Sequence, residues 1–104
     1  MTNFEAISAR LYPYNVDDNL LAIACLDATL GMDDEYTAAN KALIARAAID
    51  VLKQLIVLSS ESNGGYALGY NTEELRKRIY DLAKDNGLTD IADEFDTTPT
   101  IEFL

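Results

Sequence analysis

The 104-residue sequence has no His and no Trp, a single Cys, and 8 Lys or Arg against 18 Asp or Glu. Without His it lacks the commonest general base at neutral pH and the commonest transition-metal ligand. One Cys can form neither an internal disulfide nor a Cys-rich zinc site. The net charge of −10 repels phosphate backbones, so sequence-specific nucleic-acid binding is not expected. These absences predict a small acidic domain with no cofactor and no metal.

Long hydrophobic runs are also missing. The longest, at residues 20–26, is far short of the roughly 20 apolar residues that a membrane span requires. No basic stretch leads into an apolar one near the N-terminus, so we expect no secretory signal and synthesis in the cytoplasm. At this length a single domain covering residues 1–104 is predicted.

Helical patterns dominate what is present. Thr2 and Glu5 have the spacing of a capping box, which begins a helix over residues 3–11. Asn15 can cap a second helix, which Gly31 would end through a left-handed residue. An Ala-rich helix over 36–58 follows, then one capped by Asn71 or Thr72, and one more turn over 90–95. We predict an all-α bundle of four main helices, with a short fifth left open.

The predicted central helix carries two apolar stripes at helical spacing, Leu43–Ala47–Val51–Leu55 and Ile44–Ala48–Leu52–Ile56. Together they form a wide face that suits contact with more than one helix. Residues 59–71 break this pattern with Ser, Asn and paired Gly, and predict a flexible aromatic loop or short hairpin. Residues 96–104 are expected to form an extended tail.

Three aromatic or apolar side chains alternate along that predicted loop: Tyr66, Leu68 and Tyr70. Aromatic residues beside glycine are favoured anchors at protein interfaces, so these three are candidate interface residues. The alternative is that the loop folds back and they cap the small core.

No set of residues predicts catalysis. Asp33, Asp34 and Glu35 do not have the spacing of an EF-hand, and we interpret them as a solvated surface. The serines of residues 59–62 have no His to activate them, and no Gly-x-Ser-x-Gly turn exists. Cys25 lies in an apolar helix and is predicted to be a buried thiol. We therefore predict no catalytic, cofactor-binding or metal-binding residues.

Charge is unevenly distributed along the chain. Residues 11–40 and residues 85–104 each contain six acids and no base. Arg76, Lys77 and Arg78 form the densest basic patch and complete the set of candidate interface residues. This distribution fits solubility, and it equally fits contacts in which acidic parts of one copy meet basic helix faces of another copy or of a different partner.

The layout resembles a known family. Two short helices, a long Ala-rich helix, the loop Ser-Glu-Ser-Asn-Gly-Gly-Tyr and the helix Asn-Thr-Glu-Glu-Leu-Arg-Lys-Arg-Ile-Tyr-Asp-Leu-Ala-Lys-Asp-Asn-Gly-Leu are similar to small head–tail connector (adaptor) proteins of tailed phages, particularly those of Bacteroidetes prophages. The similarity covers residues 4–88. It implies a virion protein that forms a homo-oligomeric ring beneath the portal, with portal and tail-completion proteins as partners.

A second function class stays open. The net charge of −10 and helices that can display carboxylates also suit a small acidic inhibitor, in the manner of a DNA mimic, which binds a basic protein. Such a module would carry a dense acidic stripe on one face.

Overall fold

Five α-helices and one 3-10 turn make up the computed structural model, which describes residues 1–14, 16–60 and 71–96. The helices are α1 (Asn3–Leu11), α2 (Asp18–Asp27), α3 (Lys41–Ser60), α4 (Thr72–Asp85) and α5 (Thr89–Glu94), and the 3-10 turn is Ala38–Asn40. About 72% of the structure is helical. The described residues include no strand, only an isolated bridge between Thr2 and Glu35. The predicted all-α bundle is confirmed, with the short fifth helix present.

Helix α3 is the centre of the bundle, and α1, α2 and α4 all pack against it. Its 20 residues span about 30 Å at the α-helical rise. Ile44, Ile49 and Leu52 are fully buried, and so are three small residues, Ala45, Ala47 and Ala48. Alanine lets neighbouring helices approach closely while large aliphatic side chains fill the space between them. The wide apolar face predicted for this helix is therefore real, except that Leu43 at its start is exposed.

The N-terminus is fastened to the connection that follows α2. The predicted capping box exists: Glu5 N–H donates to Thr2 Oγ1 at 3.1 Å, and Thr2 N–H donates to Glu5 Oε1 at 2.8 Å. The amide of Asn3 donates to the carbonyl of Asp34 at 2.9 Å, and its buried side chain donates from Nδ2 to the Gly31 carbonyl at 2.9 Å. These bonds hold residues 31–34 in place beside α1.

Three predicted helix boundaries are wrong. Asp17 caps α2, with its carboxylate accepting from Asn19 N–H at 2.7 Å, whereas Asn15 lies outside the described residues. Helix α2 ends at Asp27, and the left-handed residue after it is Thr29, with φ of 57°, rather than Gly31. The third helix begins at Lys41 instead of near residue 36, because residues 31–36 pair with the N-terminus before the chain turns into the 3-10 segment.

The C-terminal pair of helices follows the predicted pattern closely. The Asn71 side chain accepts from Glu73 N–H and Glu74 N–H and caps α4. Asn86 and Gly87 end that helix, and Gly87 has a φ of 72°. Helix α5 packs on α4 through Ile91 and Ala92 among others. Of the predicted loop (59–71) and tail (96–104), residues 61–70 and 97–104 lie outside the described part of the chain. The loop prediction is wrong at its two ends, because residues 59 and 60 belong to α3 and Asn71 caps α4.

Candidate protein-interface surface

An apolar groove lies along the outer side of α2 and the segment that follows it. Its volume is about 420 Å³, and it is lined by Ala22, Ile23, Leu26, Leu30, Gly31 and Met32. Ile23 is 55% exposed and Leu26 is 76% exposed, although both side chains are purely aliphatic. We call these lining residues the α2 groove.

The groove exists because α2 is apolar on nearly every side. Leu21, Ala24 and Cys25 point inward and are buried. A helix that is hydrophobic all round is normally enclosed on all sides, but among the described helices α2 packs only against α1 and α3. Ile23 and Leu26 are therefore left on the surface. The far wall, Leu30 to Met32, is held in position by the bonds from Asn3 Nδ2 to the Gly31 carbonyl and from Phe4 N–H to the Met32 carbonyl.

Three acidic residues are sequence neighbours of the residues that line this groove, and none of these sequence neighbours is basic. Asp27 follows Leu26 directly, and Asp33 and Asp34 follow Met32. All three are exposed. Residues 11–40 contain no Lys or Arg, so the chain segments that form the groove carry only acidic charges, and a partner with basic groups beside an apolar anchor would complement them.

A second, smaller groove separates α2 from α3 and contains two carboxylates. Asp27 of α2 and Asp50 of α3 line it together with apolar side chains that include Ile23 and Val51. Burial raises the pKa of Asp50 above its ordinary value of 3.8, and the nearby Asp27 raises it further, whereas Lys53 and Arg46 lower it. The ionised form of Asp50 is thus incompletely compensated within one copy of the chain.

The predicted basic patch on α4 is partly occupied by contacts within the molecule. The Arg76 guanidinium lies 5.9 Å from the centre of the Phe95 ring, and Arg78 donates a hydrogen bond to the Tyr12 carbonyl. Lys77 is exposed beside the first turn of α4, which carries Glu73 and Glu74. The surface of α4 therefore mixes both signs of charge.

The predicted interface residues of the loop are not among those that the structure describes. Tyr66, Leu68 and Tyr70 lie outside the described residues. Their assignment as interface anchors stays a prediction, as does that of Arg76, Lys77 and Arg78.

Chemical groups suited to catalysis or metal binding are sparse in the described part of the chain. No group of three or more His, Cys, Asp or Glu residues there could hold a metal ion. Cys25 is buried, as predicted, and burial raises the pKa of its thiol, which disfavours the reactive thiolate. None of the described helices combines the length and apolar character needed to cross a membrane. The feature of the described surface that suits contact with another molecule is thus the apolar α2 groove.

Comparison with known proteins places the chain in a family. Residues 1–103 match the model of a family of unknown function, DUF6706. The chain belongs to this family. No curated protein and no solved structure matches it. The family match does not connect the chain with head–tail connectors, so that resemblance stays a prediction.

Sequence reasoning missed Ile23 and Leu26 as surface residues. Both belong to the apolar run at residues 20–26, for which the sequence pattern gives a broad apolar surface but not the side that stays exposed. A usable signal was present, because a short helix with apolar residues on every side cannot bury all of them against two neighbours. The sequence could not show which side would stay open, since that depends on where α1 and α3 pack.

Proposed function

We propose that this protein is a non-enzymatic structural subunit of a phage virion, which assembles into a head–tail connector ring between the portal and the tail. The resemblance over residues 4–88 supports this assignment. The single observation that carries it from the structure is the α2 groove, where Ile23 and Leu26 are 55% and 76% exposed. Exposed apolar patches on small domains commonly mark sites of protein association.

The energy available at this groove favours association. Complete burial of an Ile or Leu side chain stabilises by about 1.5–3 kcal/mol. Scaled to the exposed fractions of Ile23 and Leu26, their burial by a partner would contribute roughly 2–4 kcal/mol. This gain, added to that of the surrounding groove, is of the size that a few interface hot-spot residues provide.

The acidic inhibitor or DNA mimic is less well supported. A DNA mimic presents carboxylates in place of phosphates, whereas the centre of the candidate surface is aliphatic. Helix α4 also alternates acids with Arg76, Lys77 and Arg78, which interrupts an acidic stripe. An apolar centre with a charged rim is instead the usual composition of a protein–protein interface.

Assembly and portal binding test the proposal. We expect the purified chain to form a closed ring, seen as a multiple of its 11.5 kDa mass in light scattering and as annular particles in negative-stain electron microscopy. Where rings require the partner, mixing with the portal protein encoded in the same genome should produce them. A chain that stays monomeric at high concentration and fails to bind that portal would overturn the proposal.

A matched pair of variants sharpens the test. Ile23→Ser combined with Leu26→Ser removes apolar surface from exposed positions and should abolish ring formation while the helical circular dichroism spectrum is retained. Val57→Ser changes another aliphatic side chain, 57% exposed and outside the α2 groove, and should leave assembly intact.

A further inference from the structure

The start of α3 presents an exposed apolar side chain with a base one helical turn further on. Leu43 is 39% exposed, although the sequence pattern places it on the apolar stripe of the central helix. Arg46 lies three residues later on the same side of α3 as Leu43, and Lys41 is the first residue of the helix; both bases are exposed. Ala42 beside it is exposed as well, and so small a residue leaves room for another backbone to approach. We call Lys41, Ala42, Leu43 and Arg46 the α3 knob.

The charge of the knob is available for a partner. Neither Lys41 nor Arg46 forms an ion pair within the described ranges, where the ion pairs are those of Met1 with Glu35 and of Lys53 with Glu94. Arg46 lies one helical turn before Asp50 and lowers its pKa. Its guanidinium therefore has an acidic neighbour but no close pairing that association would have to break.

The α4 patch is a poorer source of basic contacts. Arg76 already lies over Phe95 and Arg78 is hydrogen-bonded to Tyr12. Recruiting them for an interface would cost the contacts that join α4 to neighbouring parts of the molecule. The structure thus moves the best basic candidate from α4 to the start of α3.

The α2 groove and the α3 knob complement each other in shape and charge. The groove is a concave aliphatic surface of about 420 Å³, within the range of roughly 300–1,000 Å³ typical of binding clefts. Asp27, Asp33 and Asp34 adjoin it in sequence. The knob offers one aliphatic anchor with Arg46 beside it and Lys41 at the helix start, so that apolar contact and charge attraction would act together.

We propose that the α3 knob of one copy docks into the α2 groove of a second copy, with Leu43 as the anchor. Because the two surfaces differ, the contact is heterologous and repeats from copy to copy, which generates a ring when the rotation closes. The inference rests on the proposed function, for which it supplies the contact between neighbouring subunits.

Mixing two variants tests this contact. Leu26→Glu places a charge in the groove, and Leu43→Glu places one on the knob; both positions are exposed, and circular dichroism verifies folding. Each variant alone should be monomeric in sedimentation velocity, with self-association weakened at least tenfold. Mixed in equal amounts, they should form a dimer with one copy of each, because the intact knob of one fits the intact groove of the other. Val57→Glu serves as the matched control and should assemble like the unmodified chain.

Each outcome has a separate meaning. Rings that persist in both variants overturn the knob-and-groove contact and leave the connector proposal standing. Variants that are monomeric alone but do not dimerise when mixed also overturn it, since the two residues would then belong to one shared face. An unmodified chain that binds the portal without self-association overturns the contact alone. Failure of both self-association and portal binding overturns the connector proposal as well.

Discussion

Replacing Phe95 by Ala should weaken the attachment of α5 to the rest of the bundle. The ring is only 8% exposed, and it lies between Lys53 Nζ of α3, 5.5 Å from its centre, and the Arg76 guanidinium of α4, at 5.9 Å. Burying a Phe side chain removes about 150–250 Å² from water. At about 25 cal/mol per Å² this corresponds to roughly 4–6 kcal/mol for complete burial, of which Ala retains a part. Phe95→Ala should therefore lower the free energy of unfolding by about 4 kcal/mol, within the range measured for such core truncations.

Phe95→Leu separates the contribution of the ring from that of burial. Leu keeps most of the apolar contact but loses both cation–π contacts, each worth about 0.5–1 kcal/mol at partly exposed sites. We expect a loss of about 1–2 kcal/mol for this variant. With a urea dependence of about 1.5 kcal/mol per M, the unfolding midpoint should fall by about 2.5 M for Ala and about 1 M for Leu.

Urea unfolding followed by circular dichroism, together with amide hydrogen exchange, provides the assay. Val57→Ala, at a side chain that is 57% exposed, is the control and should change the midpoint little. A midpoint for Phe95→Ala within about 0.5 M of the unmodified chain would refute the reasoning. If amides of residues 89–95 exchanged freely in that variant while the midpoint held, α5 would be a separately unfolding appendage rather than part of the cooperative core.

The remaining predictions concern a carboxylate, a glycine and a helix cap. Asp50→Asn should raise the Tm at pH 7. The pKa of Asp50 is raised in the folded chain, so its protonated form stabilises the fold below pH 3.8, and this stabilisation is lost as the pH rises through the folded pKa. An equal gain in Tm at pH 3 and pH 7 would contradict this. Gly87→Ala should lower the free energy of unfolding in urea by about 1–2 kcal/mol. The cause is the φ of 72° alone, since an added Cβ meets no atom within 4 Å. Gly87→Asn should cost less, because Asn adopts left-handed geometry more readily than Ala. Thr2→Ala should cost about 1 kcal/mol through loss of the α1 cap. The pKa of Glu5, lowered first by the Thr2 backbone N–H and then by the Thr2 side chain, should stay lowered in an NMR titration because Ala keeps that N–H; a Glu5 pKa that returned fully to its ordinary value would argue against the backbone half of the capping box.

Local signals in the sequence predicted most helix termini correctly because the determining groups lie within a few residues of one another. The capping box of Thr2 and Glu5, the Asn71 cap and the Gly87 terminus are all local devices, and each is present. The start of α3 was predicted too early because the bonds between residues 31–36 and the N-terminus join parts of the chain about 30 residues apart. No local pattern encodes such pairing.

The candidate site was less accessible to sequence reasoning than the fold. Periodicity places Leu43 on an apolar face and Ile23 in an apolar run, and both side chains turn out to be exposed. Periodicity reports which residues share a side of a helix, but not how far a neighbouring helix extends along that side. Leu43 is exposed at the start of α3, in its first turn. Ile23 is exposed because no described helix lies over the outer side of α2.

The sequence by itself determined the class of this protein: an acidic, all-α chain of 104 residues, without His and with its bases confined to a few helix segments. Those properties depend on composition and on contacts between near neighbours. The tertiary structure alone decided which apolar side chains remain on the surface and which bases are already engaged, as Arg76 is with Phe95. The physical reason is that burial and pairing are set by packing between distant segments, and a bundle of the size described here is too small to cover every apolar side of each helix.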